Sequence, residues 1–193
     1  MRKLLKFFGI IALLIALGIP AAAKKLDLLK FDKGETPNDT NACETSLAEE
    51  HPAKKGGVSL KVSISGDDWW IGECPPKRGL LDGFDIIKFG IFNPSKEPRG
   101  LNFVIKPKSP ISYEDRFDSS IVVRPGQNDL EIEITGACTN GGKPLSLKDR
   151  IAIWSLSGGF KKGENFFFQT FKAETADEGD KEAAVKDSGK KSK

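Results

Sequence analysis

The sequence predicts an all-β protein. Apolar residues recur with a period of two rather than 3.6, as in half-buried antiparallel strands. The runs are separated at short intervals by Gly, Pro and Asn turn signals. Between residues 24 and 173 no stretch carries the apolar stripe of an amphipathic helix.

The elements follow in chain order. Arg2, Lys3 and Lys6 precede an apolar run from Phe7 to Leu17, broken only by Gly9, and Pro20 leads into Ala21, Ala22 and Ala23. A basic start, a short apolar stretch and an A-x-A end describe a secretory signal peptide over residues 1–23. The run is short for the roughly 20 residues of a membrane span, and no Cys follows it for lipid attachment. The expectation is therefore an exported protein, periplasmic or extracellular, with no stable membrane anchor after cleavage.

Residues 24–173 carry the strand signals. Val58, Leu60, Val62 and Ile64 alternate with Ser59, Lys61 and Ser63. Leu101, Phe103 and Ile105 do so around Asn102, with Val104 the exception, and Leu130, Ile132 and Ile134 are interleaved with Glu131 and Glu133. Ile86–Phe92, Ser120–Arg124, Ile151–Leu156 and Phe166–Phe171 are further β-rich runs. Asn93-Pro94, Pro98-Arg99-Gly100, Pro125-Gly126, Gly141-Gly142 and Gly158-Gly159 mark turns. From Glu174 to Lys193 the only branched apolar residue is Val185. That composition predicts a disordered mixed-charge tail, 174–193.

Charge and composition exclude several functions. The 193 residues hold 30 Lys+Arg and 27 Asp+Glu, and removing the three cations of the signal peptide leaves 27 of each. A polyanion binder needs a basic excess, so no nucleic-acid partner is expected. One His and three Cys leave little for a His-based triad or a zinc cluster. Cys43, Cys74 and Cys138 form no C-x-x-C pair. They allow one disulfide plus a free thiol in an oxidising compartment, by any of three pairings, or three idle thiols.

Several short motifs in order resemble a known family. They are Leu29-Lys30-Phe31-Asp32, Gly56-Gly57-Val58, Phe84-Asp85, Lys88 to Phe92 with Asn93-Pro94, and Leu101 to Ile105. Tyr113-Glu114-Asp115-Arg116-Phe117, Arg124-Pro125-Gly126-Gln127-Asn128, Leu130 to Ile134 and Phe166 to Lys172 complete the series. The chain is similar to the galactose-binding-like jelly-roll β-sandwich of non-catalytic carbohydrate-binding modules and related exported bacterial proteins. The resemblance implies an antiparallel jelly roll and a polysaccharide or other glycan as partner. Members often hold a structural calcium between acidic residues near the first and on the last strand. Asp32 fits the first position, but Gln169 stands at the second and supplies no charge. No metal or cofactor is assigned.

Sugar recognition needs flat aromatic faces and planar polar groups. With Phe89 and Ile91 facing the core, Lys88, Gly90 and Phe92 face away. Asn102, Val104 and Lys106, then Glu131 and Glu133, are expected to line the same mixed-charge surface. Trp69 and Trp70 are adjacent, so an extended chain sends one into the core and offers the other as a platform. Trp154, among Ile151, Ile153 and Leu156, reads as core. Tyr113, Asp115 and Arg116 offer a ring, a carboxylate and a guanidinium, or form an internal Asp/Arg pair fixing their loop. The candidate ligand-binding residues are Trp70, Phe92, Asn102, Tyr113, Asp115 and Arg116. No G-x-S-x-G, H-E-x-x-H or P-loop occurs, so no catalytic residue is assigned. The sequence-level reading is an exported non-catalytic carbohydrate-binding module. Its alternative is a structural or protein-interaction β-sandwich whose partners are envelope proteins.

Overall fold

Alternation becomes burial in the computed structural model, which describes residues 23–108 and 112–176. Leu60, Val62 and Ile64 point inward, as do Ile87, Phe89 and Ile91, and so do Leu101, Phe103 and Ile105. Lys61, Ser63, Lys88 and Asn102 between them stay half-buried. The described residues form two antiparallel sheets and two short 3-10 turns, Phe31–Lys33 and Tyr113–Asp115.

The first sheet holds β1 (Lys25–Leu29), β3 (Cys43–Ala48), β4 (Ser59–Ile64), β6 (Ile86–Asn93), β9 (Gly126–Glu133) and β11 (Asn165–Glu174). Its order is β3-β4-β11-β6-β9, with β1 also paired to β11. The second sheet holds β2 (Asp39–Asn41), β5 (Trp70–Glu73), β7 (Arg99–Lys106), β8 (Phe117–Val123) and β10 (Ile153–Gly158), in the order β2-β5-β10-β7-β8. This is the expected all-β jelly-roll sandwich.

Two asparagines hold the connections that cross between sheets. Asn93, ending β6, donates to the carbonyls of Glu97 (3.0 Å) and Val123 (3.3 Å) and accepts from Ser95 N–H. Asn128 accepts from Arg124 N–H and donates to the carbonyls of Arg124 and Gly126, each within 2.9 Å. These bonds satisfy backbone groups that leave one ladder before joining the other. Gly126 takes a φ of 83° at the second crossing, which glycine adopts without a Cβ penalty.

The core between the sheets is aromatic. Phe89 lies 5.0 Å from Phe103 and 5.2 Å from Phe171 between ring centres, and Trp154 lies 4.6 Å from Phe171. Each such buried ring contributes roughly 1.5–3 kcal/mol by removal from water. Trp69 is buried and donates its indole N–H to the Phe160 carbonyl at 2.8 Å. Trp154 is buried as expected.

One boundary moves. The tail was expected from residue 174, yet Glu174 belongs to β11, opposite Lys25 and Ile86. Its carboxylate is buried among Lys25, Lys88 and Lys172. Burial alone would raise its pKa, but bonds from Lys172 and Lys88 outweigh that and bring it to about 2. Thr175 and Lys24 then exchange two hydrogen bonds, and Ala176 N–H donates to Asp85. Charged composition hid this, because a carboxylate ringed by lysines can close a strand. The remainder of the expected tail and all but the last residue of the expected signal peptide lie outside the described residues. Cys43, Cys74 and Cys138 are three separate thiols.

Candidate functional site

The outer face of the second sheet is a grid whose rows are set by strand register. One row runs Asp39, Gly72, Ser155, Val104 and Asp118 across β2, β5, β10, β7 and β8. The next runs Asn41, Trp70, Ser157, Asn102 and Ser120. On the other side of the first row, Ile153 pairs with Lys106. Ile105 pairs with Phe117, so the same register brings Arg116 beside Lys106. A cavity of about 410 Å³ lies on this face, lined among others by Trp70, Asn102, Lys106 and Arg116. Ser155 and Ser157 supply hydroxyls to its floor.

Each wall has a local cause. Trp70 faces the groove because Trp69 and Ile71, its neighbours along the strand, are buried on the other side. Gly72 keeps the middle of the first row low. A Cβ there would meet the Trp154 carbonyl oxygen at 2.3 Å and the Ser155 Cα at 3.1 Å, so β5 and β10 approach only without a side chain. Arg116 is held by Asp118, which accepts from its Nε at 3.2 Å and from its Nη2 at 2.8 Å. The Arg116 guanidinium also lies over the Tyr113 ring, 4.6 Å from its centre.

The structure thus brings Trp70, Asn102 and Arg116 together in one groove; Tyr113 is not among its lining residues and meets it only through its contact with Arg116. Two other candidates lie elsewhere. Asp115 does not pair with Arg116; it accepts from Lys143 Nζ at 3.1 Å and from Ser112 Oγ at 3.0 Å. Those two bonds hold its carboxyl below the usual range, Lys143 being the larger cause. Phe92 lies on the outer face of the first sheet, on the opposite side of the molecule. Its companions there are Lys88, Gly90, Glu131 and Glu133, which register places on that sheet. They do not share a surface with Asn102, Val104 and Lys106. The loop after β3 covers Phe92: the His51 ring stacks on it, and Gln169 Nε2 donates to the His51 carbonyl at 2.7 Å.

Sequence reasoning missed Asp39, Ile153, Ser155 and Ser157 as lining residues. The two serines had a usable signal, since they alternate with buried Trp154 and Leu156. Asp39 sits on a three-residue strand too short to show a period.

A second cavity, about 280 Å³, lies beside β1 and β11 and includes both Asp32 and Gln169, the positions that would hold a calcium. The residues do not fit that ion. The Gln169 side-chain oxygen accepts from Gln127 Nε2 at 2.7 Å, and Lys30, Lys54 and Lys172 line the same space. Among the described residues no group of three or more His, Cys, Asp or Glu side chains is placed to hold a metal.

No protein-family model matches the chain, and no curated protein matches it in sequence. Solved structures match in fold. The family 11 carbohydrate-binding module of Clostridium thermocellum, solved in complex with a β-1,3-1,4-mixed-linked tetrasaccharide, superposes with a TM-score of 0.58 at 17% identity. That match covers 80% of this chain and 96% of the module. An exo-β-agarase matches with a TM-score of 0.63 at 11% identity, over 78% of this chain and 25% of the enzyme. This chain therefore spans about a quarter of that enzyme. At such identities the likeness is one of fold: the chain is a jelly-roll β-sandwich of the kind used by carbohydrate-binding modules.

Proposed function

We propose that this chain is an exported, non-catalytic carbohydrate-binding module that holds a cell-wall or extracellular polysaccharide on the outer face of its second sheet. One observation carries the reading: the Trp70 ring and the Asn102 amide share an open groove whose floor is built from serines. An indole offers a flat apolar face to the C–H side of a sugar, while an amide and hydroxyls exchange hydrogen bonds with its rim. The jelly-roll likeness to a module solved with a bound oligosaccharide supports the same reading.

Affinity gel electrophoresis of residues 24–193 against a panel of polysaccharides tests it. The chain is expected to be retarded by at least one glycan, and Trp70→Ala to lose that retardation with an unchanged melting temperature. Incubation with the retarding glycan is expected to release no reducing ends. Retardation by none of the glycans would overturn the proposal. Export is tested separately by expressing the full chain and reading the N-terminus of protein recovered outside the cytoplasm, expected at Lys24.

A further inference from the structure

The groove has a neutral end and a cationic end. Trp70, Ser157 and Asn102 form the neutral row. At the other end Lys106 and Arg116 stand side by side, on β7 and just before β8, and both line the cavity. Like charges directly opposite one another on a sheet repel. Among the described residues the Lys106 ammonium has no ion-pair or hydrogen-bond partner, and with Asp118 paired to Arg116 the three groups keep one net positive charge.

The nearby acids do not neutralise it. Asp118 is spent on Arg116, whose Nε and Nη2 it binds, leaving Nη1 with no partner among the described residues. Asp115 is spent on Lys143. Asp39 also lines the groove, but it sits on β2, three strands from β7. At about 4.8 Å per strand that is about 14 Å, beyond the screening length of about 8 Å at physiological salt. The uncommitted positive charge therefore lies at one end of the groove, two strands and two rows from the Trp70 platform.

From this we infer that the groove selects an acidic glycan: a sugar stacks on Trp70 while a carboxylate or sulfate on the same chain sits between Lys106 Nζ and Arg116 Nη1. This rests on the glycan-binding reading above and names the substrate class it leaves open. The two anions share the chemistry recognised here. A guanidinium edge and an ammonium fit either, as charge-assisted hydrogen-bond donors.

Isothermal titration separates the possibilities, using polygalacturonate for carboxylate, a sulfated galactan for sulfate, and mixed-linkage β-glucan and agarose as neutral chains. Poly-glutamate serves as an acidic polymer without sugar. At low salt one of the two acidic glycans is expected to bind at least tenfold more tightly than either neutral one. Which of the two does so identifies the anion. Lys106→Gln should remove that preference, and Lys106→Arg should retain most of it. Poly-glutamate should bind at least tenfold more weakly than the preferred glycan. Equal affinity for neutral and acidic glycans, an unchanged preference in Lys106→Gln, or poly-glutamate binding as tightly as the glycan would each overturn the inference while leaving glycan binding intact. Binding of no glycan at all would overturn the function itself.

Discussion

The His51 ring lies flat on the Phe92 ring, with centres 3.7 Å apart and planes 10° from parallel. Phe167 meets His51 edge-on at 4.7 Å, so three rings close one patch of the first sheet. An aromatic face already stacked by its own chain has a structural use. Phe92→Ala is accordingly expected to lower stability by about 1–3 kcal/mol, from lost apolar burial plus the stacking contact. Glycan affinity should stay at wild type. Urea melts and titration of the same variant check both halves; a tenfold loss of affinity would move Phe92 into the binding site.

Why Phe92 and Asn102 were expected on one surface is a matter of geometry. A period of two tells which side chains leave the core, but not which of two sheets they leave from. Both alternations were read correctly: Phe89 and Ile91 are buried, and so are Phe103 and Ile105. Between them the chain crosses from β6 to β7 at Asn93, and that crossing changes the sheet. Nothing local in the Asn-Pro turn distinguishes a crossing from a hairpin. The groove was legible in part for the same reason, since Trp70 followed from the Trp69/Trp70 parity. The short polar strands β2 and β3 show no core alternation, so their place at the sheet edges comes only from pairing.

Glu35 and Arg78 form a two-pronged pair, with Arg78 donating at 2.6 and 2.7 Å, and Lys30 N–H donating to the same carboxylate at 2.8 Å. The Arg78 bonds hold the Glu35 carboxyl at about 2, below its ordinary 4.5. The folded state thus binds this proton less readily than the unfolded chain. Its stabilisation is fully present above pH 4.5 and is lost as pH falls through about 2. Arg78→Met should cost about 2 kcal/mol at neutral pH, the order of charged hydrogen bonds left unmade. The cost should shrink on acidification, as read by denaturant melts from neutral pH downward.

Glu73 points the other way. It is 1% exposed on the inner side of β5, where Trp154 Nε1 donates to its Oε2 at 3.1 Å. Its Oε1 has no partner among the described residues. Burial raises its carboxyl above the ordinary 4.5, against the smaller effect of the Trp154 bond. The folded state therefore keeps this proton longer than the unfolded chain. The contribution is present below pH 4.5 and is lost as pH rises through the elevated value. Glu73→Gln retains a carbonyl acceptor for Trp154 and never ionises. It is expected to raise stability at alkaline pH by about 1 kcal/mol, the low end of the cost of an unsatisfied buried polar atom. Thermal melts of both proteins across about pH 5 to 9 should show the wild type falling relative to the variant.

The final relationship is between Tyr113 and Arg116. Tyr113 is 63% exposed, yet one ring face is occupied by the Arg116 guanidinium. Asp118 binds the same guanidinium, so the ring acts as a second hold. A cation over an exposed ring contributes about 0.5–1 kcal/mol, which corresponds to roughly a two- to fivefold change in an equilibrium constant. Tyr113→Ala is therefore expected to weaken binding of an acidic glycan by about that factor, because Arg116 is positioned less tightly. Tyr113→Phe keeps the π face and should bind as wild type. Arg116→Ala should lose more affinity than either, and in its background Tyr113→Ala should add nothing. A double-mutant cycle measured by titration carries the decision. If Tyr113→Ala weakens binding equally with and without Arg116, the ring contacts the sugar directly and does not work through the guanidinium.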